Sequence, residues 1–159
     1  MDSAVIETSL GLIKLVAEGN AIVEIQFNTK EPIKNSDAEV IQQCIKELEE
    51  YFSGDRKTFD VSIEINGTEF QKKVWNELLK IPFGKTISYS ELALRLGDIK
   101  TIRAAASANG KNKLPVIIPC HRVIGKDGSL VGFSGGLDKK EWLLKHEGVI
   151  RDEQLNLFS

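Results

Sequence analysis

A thiol and an imidazole stand side by side in the second half of this 159-residue chain. Cys120 and His121 occupy the middle of Pro119-Cys120-His121-Arg122-Val123, so basic residues flank the thiol. Such surroundings can prepare a nucleophile, because the thiolate rather than the thiol is the reactive form. A free cysteine is also among the most frequently buried residues and packs as a small apolar group. The pentapeptide alone therefore leaves two interpretations open, a reactive thiolate and a buried structural thiol.

Only two cysteines and two histidines occur in the chain. Cys44 lies on the apolar stripe of a predicted helix, so we interpret it as a core residue. Two cysteines so far apart make no disulfide framework, and the Cys/His set is too small for a structural zinc site. We therefore expect a reducing compartment, a free thiol at Cys120, no metal and no cofactor.

The charge is distributed unevenly, although the net charge is only −2. Residues 85–126 carry eight basic side chains against two acidic ones. Such a local excess favours an anionic partner, nucleic acid above all, with a solvated basic face as the alternative. The chain opens without a basic segment followed by an apolar one, and no apolar run approaches the ~20 residues of a membrane helix. We expect a cytoplasmic protein that does not enter a membrane.

The elements that must position these residues fall into two parts. Residues 1–66 contain β-branched runs separated by short turns, which predict an antiparallel meander over 5–8, 12–16 and 22–27. Ser36 with Glu39 forms a capping-box pattern that opens an amphipathic helix, and alternation over 59–65 predicts one further strand. We place a domain boundary near Asn66-Gly67, which gives domains 1–66 and 67–159.

The second part is mostly helical. The patterns predict helices over 69–79, from Ser88 with its capping partner Glu91, from Thr101 to Ala108, and over 139–147 with Asp138 and Glu141 as caps. The two middle helices, joined by a turn containing Gly97, are typical of a helix-turn-helix unit. Before and after Cys120 we expect a short buried strand over 114–118 and a hairpin of 122–124 with 130–131. Residues 150–159 are predicted to form a tail.

Six motifs in one order resemble the O6-alkylguanine-DNA alkyltransferases, over about half the chain. They are Phe83-Gly84-Lys85-Thr86-Ile87-Ser88-Tyr89, Arg103-Ala104, Asn109-Gly110-Lys111-Asn112, Ile118-Pro119-Cys120-His121-Arg122-Val123-Ile124, Phe133-Ser134-Gly135-Gly136-Leu137 and Glu141-Trp142-Leu143-Leu144-Lys145-His146-Glu147-Gly148. The resemblance implies an α+β fold, with a strand-rich ribonuclease-H-like N-terminal domain followed by a helical, winged-helix-like C-terminal domain. That second domain would bind DNA and carry the alkyl transfer.

The resemblance also implies the catalytic roles. Cys120 would accept the alkyl group from O6 of a guanine, with O4-alkylthymine as a second candidate substrate. His121 would act as its base through a water molecule, polarised by Glu147. Tyr89 would donate a hydrogen bond to the departing guanine, and Asn112 would organise the turn that positions the cysteine. Each transfer would consume one protein molecule, because the thioether is not reversed.

The resemblance implies double-stranded DNA containing alkylated guanine as the partner, bound through the minor groove by a monomer. Arg103 would enter the base stack in place of a flipped nucleotide. The implied substrate- and DNA-binding residues are Tyr89, Arg103, Ala104, Arg122, Phe133, Ser134 and Gly135. Lys113 stands where many members have proline, and Phe133 where tyrosine is common.

Two other functions remain as alternatives. A Cys-His hydrolase would form a thioester intermediate and turn over many times. A helix-turn-helix regulator or lesion sensor would bind DNA without transferring an alkyl group.

Overall fold

The computed structural model describes residues 1–133 and 135–150 of the chain. Ser134 and most of the predicted tail lie outside the described residues. The chain divides into two compact units, Met1–Asn66 and Gly67–Ser159. The first is rich in strands and the second in helices, so the predicted α+β class is confirmed.

The first unit is an antiparallel sheet with one long helix. Strands β1 (Asp2–Thr8), β2 (Gly11–Glu18) and β3 (Ala21–Phe27) pair in sequence order, as the short turns predict. Helix α1 (Glu39–Phe52) buries the apolar stripe that contains Cys44. Cys44 is wholly buried, and burial followed by the nearby charge of Glu47 raises the pKa of its thiol to about 12.

Two local predictions for this unit are wrong. Helix α1 has no side-chain cap, because its N-terminal flanking residue is Ala38, whose amide donates to the Ser36 hydroxyl at 3.2 Å. Residues 59–65 form a single bridge at Ile63 instead of a strand. The reason is Glu47, whose carboxylate accepts the amides of Asp60 and Val61 at 2.8 and 3.0 Å and so replaces ladder partners.

The second unit has four helices and two very short strands among its described residues. They are α2 (Glu69–Leu78), β4 (Ile87–Ser88), α3 (Tyr89–Arg95), α4 (Ile102–Gly110), β5 (Val123–Ile124) and α5 (Leu137–His146), with 3₁₀ turns at Ile99–Thr101 and Cys120–Arg122. Trp75 of α2 is 1% exposed and its indole donates to the Ala108 carbonyl at 2.9 Å. This contact locks α2 against α4.

Of the three side-chain caps that the sequence patterns predict in this unit, one is present. Ser88 caps α3 by accepting the Glu91 amide at 3.1 Å, as predicted. Thr101 makes no capping bond, because α4 continues directly from the preceding 3₁₀ turn, which Asp98 caps. Helix α5 begins after Gly136 without a side-chain cap, so the prediction for Asp138 is also wrong.

The chain around the cysteine differs from the predicted strand and hairpin. Residues 114–118 form a tight turn closed by an Ile118 amide to Leu114 carbonyl bond of 2.8 Å. Strand β5 pairs in parallel with β4, with Ile87 opposite Val123. Since α3 starts directly after β4, this pairing brings Tyr89 next to the segment that follows Cys120. No helix within residues 1–133 and 135–150 is long and apolar enough to cross a membrane.

Candidate active site

The turn before Cys120 is held by one amide side chain. Asn112 is 5% exposed, accepts the Leu114 amide at 2.9 Å and donates to the Ile118 carbonyl at 2.7 Å. The turn also places Val116 at φ 76°, a conformation that is rare for a β-branched residue and costs on the order of 1–3 kcal/mol. Asn112 thus ties both ends of a strained turn whose last residue lies two positions before Cys120.

Cys120 begins a single 3₁₀ turn and is 1% exposed. Burial raises the pKa of its thiol to about 11, against the opposing effects of the Asn112 hydrogen bond and the positive charge of Lys140. The resting form is therefore the thiol. A proton acceptor and a nearby positive charge are both needed to make it a nucleophile.

His121 faces Glu147 at the end of α5. Its Nε2 lies 2.8 Å from Glu147 Oε2, and the imidazole is wholly buried. Burial alone would raise the pKa of Glu147, but hydrogen bonds from His121 and Arg122 outweigh it and hold that pKa well below its ordinary value. Burial also lowers the pKa of His121, and Glu147 opposes this only in part. At neutral pH the pair is therefore a neutral imidazole and a carboxylate.

The tautomer of His121 follows from this charge state. An ionised carboxylate can only accept hydrogen bonds, so Nε2 carries the proton and Nδ1 holds a lone pair. Nδ1 is buried and has no hydrogen-bond partner within residues 1–133 and 135–150. A buried acceptor without a hydrogen-bond partner costs free energy until a donor reaches it. His121 Nδ1, in the residue next to Cys120, is therefore available to accept a proton.

Arg122 differs from its expected role as a DNA-binding residue. It is 6% exposed, and its guanidinium holds both carboxylate oxygens of Glu147 at 2.9 and 3.0 Å and the Ile81 carbonyl at 2.6 Å. A side chain occupied in this way does not reach a phosphate. Arg122 instead fixes the carboxylate that orients His121, and the Gly84 amide adds a fourth donor at 3.2 Å.

Tyr89 is the first residue of α3. Its hydroxyl donates to the Val131 carbonyl at 2.8 Å. Burial, and then the negative charge that Cys120 can carry, raise the pKa of Tyr89 to about 12, so the phenol stays protonated and remains a donor at neutral pH. The Val131 carbonyl belongs to the loop that leads into α5.

That loop carries the predicted pocket residues. Phe133 is 9% exposed and Gly135 is buried, whereas Ser134 lies outside the described residues and its role stays a prediction. Gly132 has φ 66°, and a β-carbon there would lie 3.0 Å from the Tyr89 hydroxyl. The loop therefore approaches Tyr89 as closely as a residue without a side chain allows.

Two residues of this site carry no role in the sequence interpretation. Asn109 is wholly buried and donates to the Cys120 carbonyl at 3.3 Å. Lys140 is wholly buried on α5, where its ammonium donates to the Val123 and Val131 carbonyls, each at 2.6 Å. Asn109 lies within the motif Asn109-Gly110-Lys111-Asn112, and this is the signal in the sequence that points to it. Lys140 follows Lys139 in a charged run that is typical of an exposed helix start.

Helix α4 carries a run of small residues, Ala104-Ala105-Ala106-Ser107-Ala108, on two different faces. Ala105 and Ala108 are buried against the unit's own helices, as close helix packing requires. Arg103 and Ala104 are exposed on the opposite side. The helix therefore packs through one set of small residues and leaves Arg103 accessible to a partner.

Both parts of the chain match families of known description. Residues 69–149 match the DNA-binding domain of 6-O-methylguanine DNA methyltransferase. Residues 1–65 match the ribonuclease-like domain of the same protein class.

Similar proteins align over nearly their whole length. A methylated-DNA–protein-cysteine methyltransferase of Methanosarcina acetivorans is 42% identical over 151 residues, which cover 91% of this chain and 97% of the relative. One from Mycobacterium bovis is 37% identical over 158 residues, 96% of each chain. The crystal structure of Mycobacterium tuberculosis OGT in complex with DNA superposes with a TM-score of 0.85 at 33% identity, covering 99% of both chains.

Proposed function

This chain belongs to the methylated-DNA–protein-cysteine methyltransferase family, and we propose a role in its reaction for each residue of the site. Its function is direct-reversal DNA repair, in which the alkyl group passes from DNA to a cysteine of the protein itself. Cys120 is the acceptor, and the observation that carries this assignment is the neutral His121 beside it, with Nε2 on Glu147 and Nδ1 unpaired. The other cysteine, Cys44, is buried in the first unit among apolar side chains.

The first step is removal of the thiol proton. A water molecule between Cys120 and His121 Nδ1 carries that proton to the imidazole, and Glu147 stabilises the imidazolium that forms. His121 and Glu147 activate the nucleophile as the base and the carboxylate of a hydrolase triad do. Here, however, the nucleophile is sulfur and the target is a saturated carbon. Soft thiolate suits that displacement, and the resting thiol stays protected until substrate fills the pocket.

The second step is the displacement itself. The Cys120 sulfur forms a bond to the alkyl carbon while the bond from that carbon to guanine O6 breaks, and its electron pair moves into the guanine. Tyr89 donates its proton to the guanine, so that the base leaves in its neutral form, and the proton that His121 took from Cys120 then returns to the tyrosinate through solvent. The protein keeps a thioether, which is why each molecule acts once.

Access to the base requires it to leave the duplex. Flipping costs a few kcal/mol, less for a poorly paired lesion, and this difference helps selection. We assign to Arg103, exposed on α4, the role of filling the space left in the stack. Ala104 beside it allows close approach through the minor groove by a single protein molecule.

A direct test is intact-mass measurement after incubation with duplex oligonucleotide that carries O6-methylguanine. We expect a lasting increase of one methyl group per protein molecule, mapped to Cys120 by peptide analysis. A hydrolase would show repeated turnover without a lasting adduct, and a lesion sensor would bind without any mass change. Either result would contradict the assignment.

Arg103→Ala should weaken repair of duplex DNA far more than transfer from free O6-benzylguanine. Only the duplex requires a base to be flipped and replaced, and we expect a loss of roughly tenfold or more on that substrate. Single-turnover rates on the two substrates measure the difference. Lys80→Ala is the matched control, since it removes an exposed charge of the same unit at the end of α2. Equal losses on both substrates for Arg103→Ala would argue against the role in flipping.

A further inference from the structure

Lys140 is a buried lysine of the site that has no role in the two proposed reaction steps. Lys140 is 0% exposed, which is exceptional for a lysine because an ammonium loses its hydration when buried. Its two carbonyl bonds, to Val123 and Val131, are both 2.6 Å long. Val123 follows the 3₁₀ turn that contains Cys120, and Val131 begins the pocket loop. The ammonium therefore joins the two segments that enclose the thiol.

The same ammonium supports Tyr89. It lies 5.7 Å from the centre of the tyrosine ring, within the range of a cation–π contact. The Val131 carbonyl accepts both the Tyr89 hydroxyl at 2.8 Å and the Lys140 ammonium at 2.6 Å. A carbonyl oxygen has two lone pairs, so both are used. When Tyr89 turns its proton toward guanine, Lys140 still satisfies this carbonyl and the loop keeps its position.

Among the charged side chains that the structure describes, Lys140 is the one whose charge favours the Cys120 thiolate. Its positive charge lowers the pKa of Cys120, while Cys120 in turn raises that of Lys140. Burial brings the pKa of Lys140 down to about 8, so it is still mostly charged at pH 7. Of the other charged groups, Arg122 is neutralised by Glu147 through two bonds. His121 is neutral, and Lys140 helps to keep it so by lowering its pKa.

We propose that Lys140 is a positioning residue of the transfer reaction. Its buried ammonium is the fixed positive charge against which the Cys120 thiolate forms, and it anchors the Val131 carbonyl from which Tyr89 is released to the substrate. His121 takes the proton, and Lys140 stabilises the charge left behind. The two roles are separate, because a neutral imidazole can accept the proton but cannot stabilise the negative charge on the sulfur.

The test is the pH dependence of two reactions of Cys120 in the full-length chain. The first is transfer from O6-benzylguanine, which rests on the proposed function. The second is alkylation by iodoacetamide, which needs no guanine site. Peptide mapping separates Cys120 from Cys44 in both cases. Failure of the first reaction in the wild-type protein would overturn the proposed function, while the second would still test Lys140.

Lys140→Met should lower the rate of both reactions roughly tenfold at pH 7, where the wild-type ammonium is mostly charged. The sign follows from the lost positive charge, because the thiolate fraction present at pH 7 is then smaller. The deficit should disappear above about pH 8, where the wild-type lysine is also neutral. Lys140→Arg keeps the charge and should restore part of the rate at pH 7. Lys145→Met, at an exposed position of α5, is the control and should leave both profiles in place.

A purely structural role gives a different result. Lys140→Met would then lower the rate by the same factor at every pH, and that outcome would overturn the proposal. A second measurement does not depend on the folding of this variant. NMR titration of the lysine side chains in the wild-type protein should give Lys140 a pKa of about 8, well below that of an exposed lysine. An ordinary lysine pKa for Lys140 would contradict the buried charge on which the proposal depends.

Discussion

Cys120→Ala is expected to bind methylated duplex DNA and to transfer no methyl group at all. Removal of the sulfur leaves His121 with no nucleophile to activate, and an alanine methyl cannot attack carbon. The exposed face of α4 that carries Arg103 is unchanged. Radiolabelled methyl transfer measures the first property and a gel-shift titration the second. Label that still becomes bound to the variant protein would contradict the role of Cys120.

Cys44→Ala is the matched control for this experiment, because the chain offers a second buried cysteine. Cys44 is wholly buried on α1, and the pKa of its thiol is raised to about 12 by burial and by Glu47. A thiol in those surroundings remains protonated and unreactive. We expect this variant to lose some stability through the small cavity while it transfers one methyl group per molecule, as the wild-type protein does.

The local patterns predicted the sheet of the first unit. Turns at Gly11 and Gly19 delimit the strands in the sequence as they do in the structure, since both glycines adopt positive φ. The caps were less predictable. Ser36, Thr101 and Asp138 match cap patterns, yet each helix start is set by the preceding turn or loop. A capping pattern in the sequence shows that a side chain is able to cap a helix. The backbone path before the helix determines whether that cap forms.

The site residues that the sequence missed depend on contacts between distant segments. Lys140 follows another lysine at the start of a helix, where charged residues are normally exposed. Only the parallel pairing of β4 with β5 places Tyr89 beside the segment after Cys120, and strands of two residues leave no periodic signal. The contact of Arg122 with Glu147 leaves no local signal either, because Glu147 lies 25 positions further along the chain.

Glu147→Gln is the second change for which we expect a large effect, on both transfer and stability. The carboxylate accepts two bonds from Arg122 and one from His121, and it is almost completely buried. A neutral amide leaves the Arg122 charge uncompensated, which costs about 3–5 kcal/mol when one partner of a buried ion pair is lost. It also removes the negative charge that stabilises the imidazolium, so transfer should slow by about a hundredfold.

The pH dependence of stability tests the charge states behind this prediction. The pKa of His121 is lowered in the folded protein, so the unfolded chain binds a proton first as the pH falls below about 6.5, and stability declines. The pKa of Glu147 is lowered as well, so its contribution is complete above about pH 4.3 and is lost as the pH falls further.

Urea unfolding at a series of pH values should therefore show the largest difference between wild type and Glu147→Gln near neutral pH. The difference should shrink below about pH 4, where Glu147 of the unfolded wild-type chain begins to bind a proton while the folded carboxylate stays ionised, so the wild-type protein loses the stability that this carboxylate contributes. Glu141→Gln, a half-buried position on the same helix, should change stability by only about 0.5 kcal/mol at any pH. A difference for Glu147→Gln that stays constant down to acid pH would mean that shape, and not charge, makes Glu147 necessary. In that case Arg122 would lose its role as the group that keeps the carboxylate ionised for His121.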